Sequence, residues 1–146
     1  MKRLLLTLAA VIFSTVALAE NTSPVGLWRT IDDSTGQAKA LIRITESNGE
    51  LTGKIEKTFT QPGKEPLIKC IKCDDARKDQ PLVGLTILSG LKRDGEEYKG
   101  GEILDPENGN VYRSKLVVAG DGKKLTVRGY IGVPMLGRSQ TWLREE

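Results

Sequence analysis

A chain of 146 residues with 22 Lys plus Arg against 19 Asp plus Glu is long enough to bury a core of its own. It is also too close to neutral to offer the basic face that nucleic acid requires. It has no histidine, which excludes Ser-His-Asp and Cys-His nucleophilic sites and histidine metal centres. No G-x-G-x-x-G, phosphate loop or G-x-S-x-G occurs either, so the composition points away from an enzyme and implies no resident cofactor or metal.

The first element in chain order is a leader. Lys2 and Arg3 precede an apolar stretch over residues 4–16, and Ala17-Leu18-Ala19 stands before the first acid, Glu20. A charged start, an apolar centre and a small-x-small site predict a signal peptide over residues 1–19 and a single domain over 20–146, in the periplasm of a Gram-negative bacterium or secreted. The stretch is shorter than the ~20 apolar residues of a spanning helix, so no stable membrane insertion is expected after cleavage.

Beyond it, period-two alternation recurs and helical periodicity does not. Eight strands are predicted near residues 27–31, 39–45, 51–59, 82–88, 97–104, 111–118, 125–131 and 139–144. Ala40, Ile42 and Ile44 alternate with Lys39, Leu41 and Arg43, and Leu125 and Val127 with Lys124, Thr126 and Arg128. Gly36, Gly49, Gly95, Gly109 and Gly122 supply turn chemistry between the strands. Eight antiparallel strands with no helix to cover a face must close or stack. The even hairpins predict an up-and-down antiparallel barrel, with a β-sandwich as the alternative.

The connection over residues 61–80 is longer than compact domains usually tolerate and carries both cysteines, as Cys70-Ile71-Lys72-Cys73. In an oxidising compartment that spacing predicts a local disulfide that shapes the loop and stabilises the fold by about 2 kcal/mol. A thioredoxin-like thiol pair would need a preceding strand and a following helix. Zinc would need two further ligands. A carboxylate pair such as Glu102 and Asp105 is expected to be solvated beside turns.

Five blocks carry a family resemblance, the first four being Gly26-x-Trp28; Cys70-x-x-Cys73; Pro81-Leu82-Val83-Gly84-Leu85; and Gly100-Gly101-x-Ile103-x-Asp105-Pro106-x-x-Gly109-x-x-Tyr112. The fifth runs from Gly129-Tyr130-Ile131-Gly132 to Gly137-Arg138-Ser139-Gln140-Thr141-Trp142-x-Arg144. Together they resemble the exported bacterial family called domain of unknown function 2147, and Gly26-x-Trp28 resembles the opening of lipocalin and avidin-type calycin barrels. The resemblance implies a calycin-like barrel and packing of Trp28 under Arg144 or Arg138, with no reaction or ligand attached.

Function then divides between a barrel that binds a small hydrophobic or anionic amphiphilic ligand and a filled barrel acting in envelope interactions or stress. A thiol redox protein using Cys70 and Cys73 comes third. For the first, Arg138, Gln140 and Trp142 share one face of the last strand. If that face points inward the guanidinium needs an anion, and if the face is reversed Ser139, Thr141 and Leu143 are inward and the arginines solvated. Tyr112 and Ser114 on the sixth strand would add hydrogen bonds. An apolar tail would lie against Ile42, Ile44, Ile55 and Val127.

Overall fold

A computed structural model describes residues 10–13 and 22–146. The predicted leader over 1–19 lies outside the described residues except for that short stretch. Eight strands form: β1 (Gly26–Ile31), β2 (Ala38–Ser47), β3 (Glu50–Thr58), β4 (Thr86–Asp94), β5 (Glu97–Leu104), β6 (Val111–Ala119), β7 (Lys124–Tyr130) and β8 (Gly137–Arg144). Each pairs with the next in antiparallel register, and β1 closes on β8 through Trp28–Arg144 and Arg29–Leu143. The chain is therefore a closed up-and-down barrel, and the sandwich does not form.

Alternation decides which side chains fill it. Ile42 and Ile44 of β2, Leu51 and Ile55 of β3, Leu116 of β6 and Leu125 and Val127 of β7 are all buried, while their neighbours in sequence are largely half-buried or exposed. Each such side chain taken out of water contributes about 1.5–3 kcal/mol. The Asn48-Gly49 turn joins β2 to β3 with φ of 52° and 79°, the left-handed pair that a two-residue hairpin needs.

The fourth strand needs correcting. Residues 82–85 belong to the long connection, and β4 begins at Thr86. Leu82 and Leu85, three residues apart and so unable to share one face of a strand, both drop into the core from the loop. Their backbone meets β3 irregularly, through Gly84 N–H to Ile55 O at 2.7 Å and Ile55 N–H to Leu85 O at 3.0 Å.

The strand directions sort the connections into two ends. The turns after β2, β4 and β6 lie with the start of β1 and the end of β8 at one end. The connections after β1, β3, β5 and β7 surround the other end, and the one after β3, over residues 59–85, is the longest.

Candidate ligand-binding site

The closed end is built around Trp28. Its ring is fully buried, its Nε1 donates to Pro24 O at 2.8 Å, and the Arg144 guanidinium lies 4.2 Å from the ring centroid. Arg144 also donates from Nε to Gly122 O, from Nη1 to Val25 O and from Nη2 to Ser23 O. It thereby ties the β6–β7 turn to the segment leading into β1. Partial burial, which disfavours the charged form, lowers its pKa. Gly26 makes the crossing possible: its φ is +146°, and a Cβ there would stand 2.7 Å from Arg144 Nη1. That spatial demand accounts for the glycine two residues before the tryptophan. Of the two arginines that the resemblance offered to Trp28, the structure uses Arg144.

The other end holds a cavity of about 710 Å³. Ile42, Ile55, Ile87, Ile103, Val127 and Trp142 wall its depth, and Thr30, Thr58, Phe59, Leu67 and Tyr112 stand higher. Ile44 lies deeper in the packed core and does not line it. Gln140 and Arg138 belong to the inward face of β8, because they pair with Val127 and Gly129, on the face whose Leu125 and Val127 are buried. Their depths differ. Trp142 and Gln140 stand inside, where Trp142 Nε1 donates to Gln140 Oε1 at 3.3 Å, and the Gln140 amide nitrogen finds no protein partner among the described residues. Arg138, at the start of β8, sits at the mouth with its side chain 72% exposed and an ion pair to Asp33 at 2.9 Å. The expected buried guanidinium is thus a rim guanidinium, already beside one acid.

Tyr112 lines the cavity, and its hydroxyl accepts from Asn108 Nδ2 at 3.1 Å and Asn110 Nδ2 at 3.4 Å. Ser114 does not line it. Its side chain is buried between Gly101 and Gly129 across the sheet, and its Oγ has no hydrogen-bond partner among the described residues. A second cation at the mouth, Lys39, is paired with Glu107 at 2.9 Å. Gln61 reaches the cavity from the long connection. Its Nε2 donates to Ala38 O at 2.8 Å and Phe59 O at 3.3 Å, leaving Oε1 buried and without a partner among the described residues. A buried acceptor without a donor is costly, so Oε1 is available to a ligand hydroxyl.

The long connection is fixed against the rim. Cys70 and Cys73 are paired as a disulfide with their Cα atoms 5.4 Å apart, and both are buried. The Lys72 carbonyl packs so closely on the β5–β6 turn that a Cβ at Gly109 would stand 1.9 Å from it. Cys70 N–H to Gln80 O and Leu82 N–H to Ile68 O close the loop on itself, each near 3 Å. Arg77 bonds to Thr86 O at 3.0 Å and to Asp75, whose carboxyl its guanidinium holds down to about 2.

The family model for "Uncharacterized protein conserved in bacteria (DUF2147)" matches residues 26–144. The chain belongs to this family. The matched span includes the Trp28–Arg144 closure, the disulfide loop and the whole cavity wall of the DUF2147 chain. No curated protein matches it. Among solved structures it is similar to protein HP1028 of the human pathogen Helicobacter pylori, described as belonging to the lipocalin family. The TM-score is 0.72 at 18% identity, over 86% of this chain and 85% of that one. At that identity the likeness shows a lipocalin-like fold and nothing finer.

Sequence reasoning missed Gln61, Leu67 and the β7–β8 connection as parts of the mouth, and Ile103 as part of the deeper wall. Only the unusual length of the segment over 61–80 hinted at the first two.

Proposed function

We propose that the barrel binds a small hydrophobic or anionic amphiphilic molecule, best a single-chain fatty-acid-like one, without catalysing a reaction on it. The observation that carries the reading is the cavity itself. Its ~710 Å³ falls within the 300–1,000 Å³ of small-molecule sites, with apolar walls at depth and polar and charged groups of both signs, among them Lys39, Gln61, Glu107 and Arg138, nearer the opening. An apolar tail would lie against Ile42, Ile55 and Val127 with its end toward Trp142. The headgroup would stand at the mouth, where Arg138 would exchange Asp33 for it. The leader-like start of the chain supports the periplasm or the exterior as the place of action.

The alternative of a filled barrel describes only the closed end. The thiol redox alternative is weakened by the burial of both sulfur-bearing residues, since exchange needs an accessible sulfur.

Tryptophan fluorescence titration with fatty acids of graded length tests the reading. Trp142 walls the cavity and Trp28 does not, so the emission change should vanish in Trp142→Phe and persist in Trp28→Phe. Arg138→Ala should weaken binding by about tenfold, the loss of one charged hydrogen bond of about 1.5 kcal/mol. An emission that no chain length changes would rule the ligand class out.

A further inference from the structure

The β7–β8 connection over residues 131–136 reads Ile-Gly-Val-Pro-Met-Leu. Ile131, Val133, Met135 and Leu136 are 68, 53, 88 and 69% exposed. Apolar side chains clustered in this way on one projecting loop mark a contact site rather than ordinary surface.

The loop is held in its projecting shape. Arg128 reaches out from β7 to donate to Pro134 O at 2.7 Å, Gly137 O at 3.2 Å and Ser139 Oγ at 2.9 Å. Main-chain bonds join Ile131 N–H to Leu136 O at 3.2 Å and Leu136 N–H to Val133 O at 3.0 Å. The side chains therefore stay outside, and much of the loop's backbone is already paired, as entry into a medium of low polarity demands.

Two further observations say what the loop meets. Arg128 and Arg138 immediately flank the loop with no acid between them in the sequence, Arg138 being shared with Asp33, whereas Lys123, Lys124 and Arg144 stand at the closed end. The partner is therefore anionic as well as apolar. Ile131 and Leu136 also line the cavity, so whatever covers the loop also stands at the opening. Four side chains on one loop offer far less than the ~800 Å² per partner of a stable protein interface. They are enough for the interfacial insertion of an apolar tip flanked by cations.

We propose that this loop seats the barrel mouth on an anionic lipid surface, with Val133 and Met135 at the headgroup–acyl boundary and Arg138 near the phosphates. Resting on the ligand reading above, this gives an amphiphile a path between bilayer and cavity that avoids water.

The test is co-sedimentation of the protein with phosphatidylcholine vesicles, with and without phosphatidylglycerol, beside fatty-acid titration in vesicle-free buffer. The parent should sediment with the mixed vesicles, and roughly tenfold less with phosphatidylcholine alone or at high salt. Val133 and Met135 do not line the cavity, so V133S/M135S should lose sedimentation and keep fatty-acid binding. Sedimentation with neither vesicle, or a double variant that sediments like the parent, overturns the proposal. So does self-association of the parent, by sedimentation velocity, that disappears in the double variant, because the loop would then be a chain–chain contact. Loop-dependent vesicle binding without fatty-acid uptake would keep the docking surface and overturn the ligand reading; uptake without vesicle binding would do the reverse.

Discussion

The two ends of the barrel share the same eight strands and the same alternation, yet one is solid and the other is hollow. At the closed end the inward positions hold Trp28, Leu51, Leu91, Leu116 and Leu125, all buried, and Arg144 seals them from outside. Toward the mouth the inward positions include Ala40, Gly129 and Arg138, which are either too small to meet across the lumen or too long and charged to remain in it. Strand geometry makes a barrel, but the size of the inward side chain at each level decides whether that level is core or cavity. Stability and binding should therefore separate along the barrel axis.

The largest break in that separation should come from Trp28→Ala. The substitution empties the middle of the solid end, where neighbours on every side are already packed, so the barrel should lose about 3–5 kcal/mol. Urea denaturation followed by circular dichroism measures it. A loss below about 1 kcal/mol would mean that the closed end is not the stabilising one.

Arg144→Ala should cost less, about 1–3 kcal/mol. It removes the stacked cation and three donors to the Ser23, Val25 and Gly122 carbonyls, but water can reach part of that surface and replace some bonds. Arg144→Lys should recover less than half of the loss, because an ammonium neither stacks as a plane nor spans three acceptors. Full recovery in the same denaturation assay would make charge alone the cause.

Most of the solid end could be read from sequence, and less of the hollow one. Alternation exposed the inward residues of β2, β3 and β7 because each strand buries only one face. Trp28 and Arg144 stand near opposite termini that closure must join. The faces of β8 were also legible as sets, Arg138, Gln140 and Trp142 on one and Ser139, Thr141 and Leu143 on the other, but which of them points inward was not, because register is fixed by pairing. Nor was their depth, because depth depends on how the strands tilt and stagger, and a one-dimensional pattern carries no height. Arg138 therefore reads as a lumen charge and stands at the rim. The misplaced fourth strand has a similar origin. Leu82 and Leu85 are buried as strand residues are, but they enter the core from a loop pinned by the disulfide, a tertiary arrangement without local periodicity. Gln61 gave no signal beyond the unusual length of the segment that carries it, since loop residues acquire neighbours only when the loop folds.

The smallest effect on stability, and the sharpest contrast between the ends, should come from Gly129→Leu. Gly129 faces the cavity from β7, and a Cβ there would meet Ile103 Cγ2 at 3.4 Å and Tyr112 Cβ at 3.5 Å, ordinary contact distances. Its φ is not among the positive ones, so a side chain introduces no backbone strain. A leucine would extend into empty lumen, gain apolar contacts with Ile103 and restrict the unfolded chain, against some loss of side-chain freedom. These opposing contributions should leave the denaturation midpoint within about 1 kcal/mol of the parent. Binding should respond very differently, because the new side chain takes space that a ligand tail would occupy, and fatty-acid affinity by Trp142 emission should fall tenfold or more, about 1.4 kcal/mol or greater. A variant that unfolds readily would show that the lumen at this level is already packed. One that stays folded and binds as the parent does would place the ligand outside the barrel, and with it the division of labour between the two ends would fall.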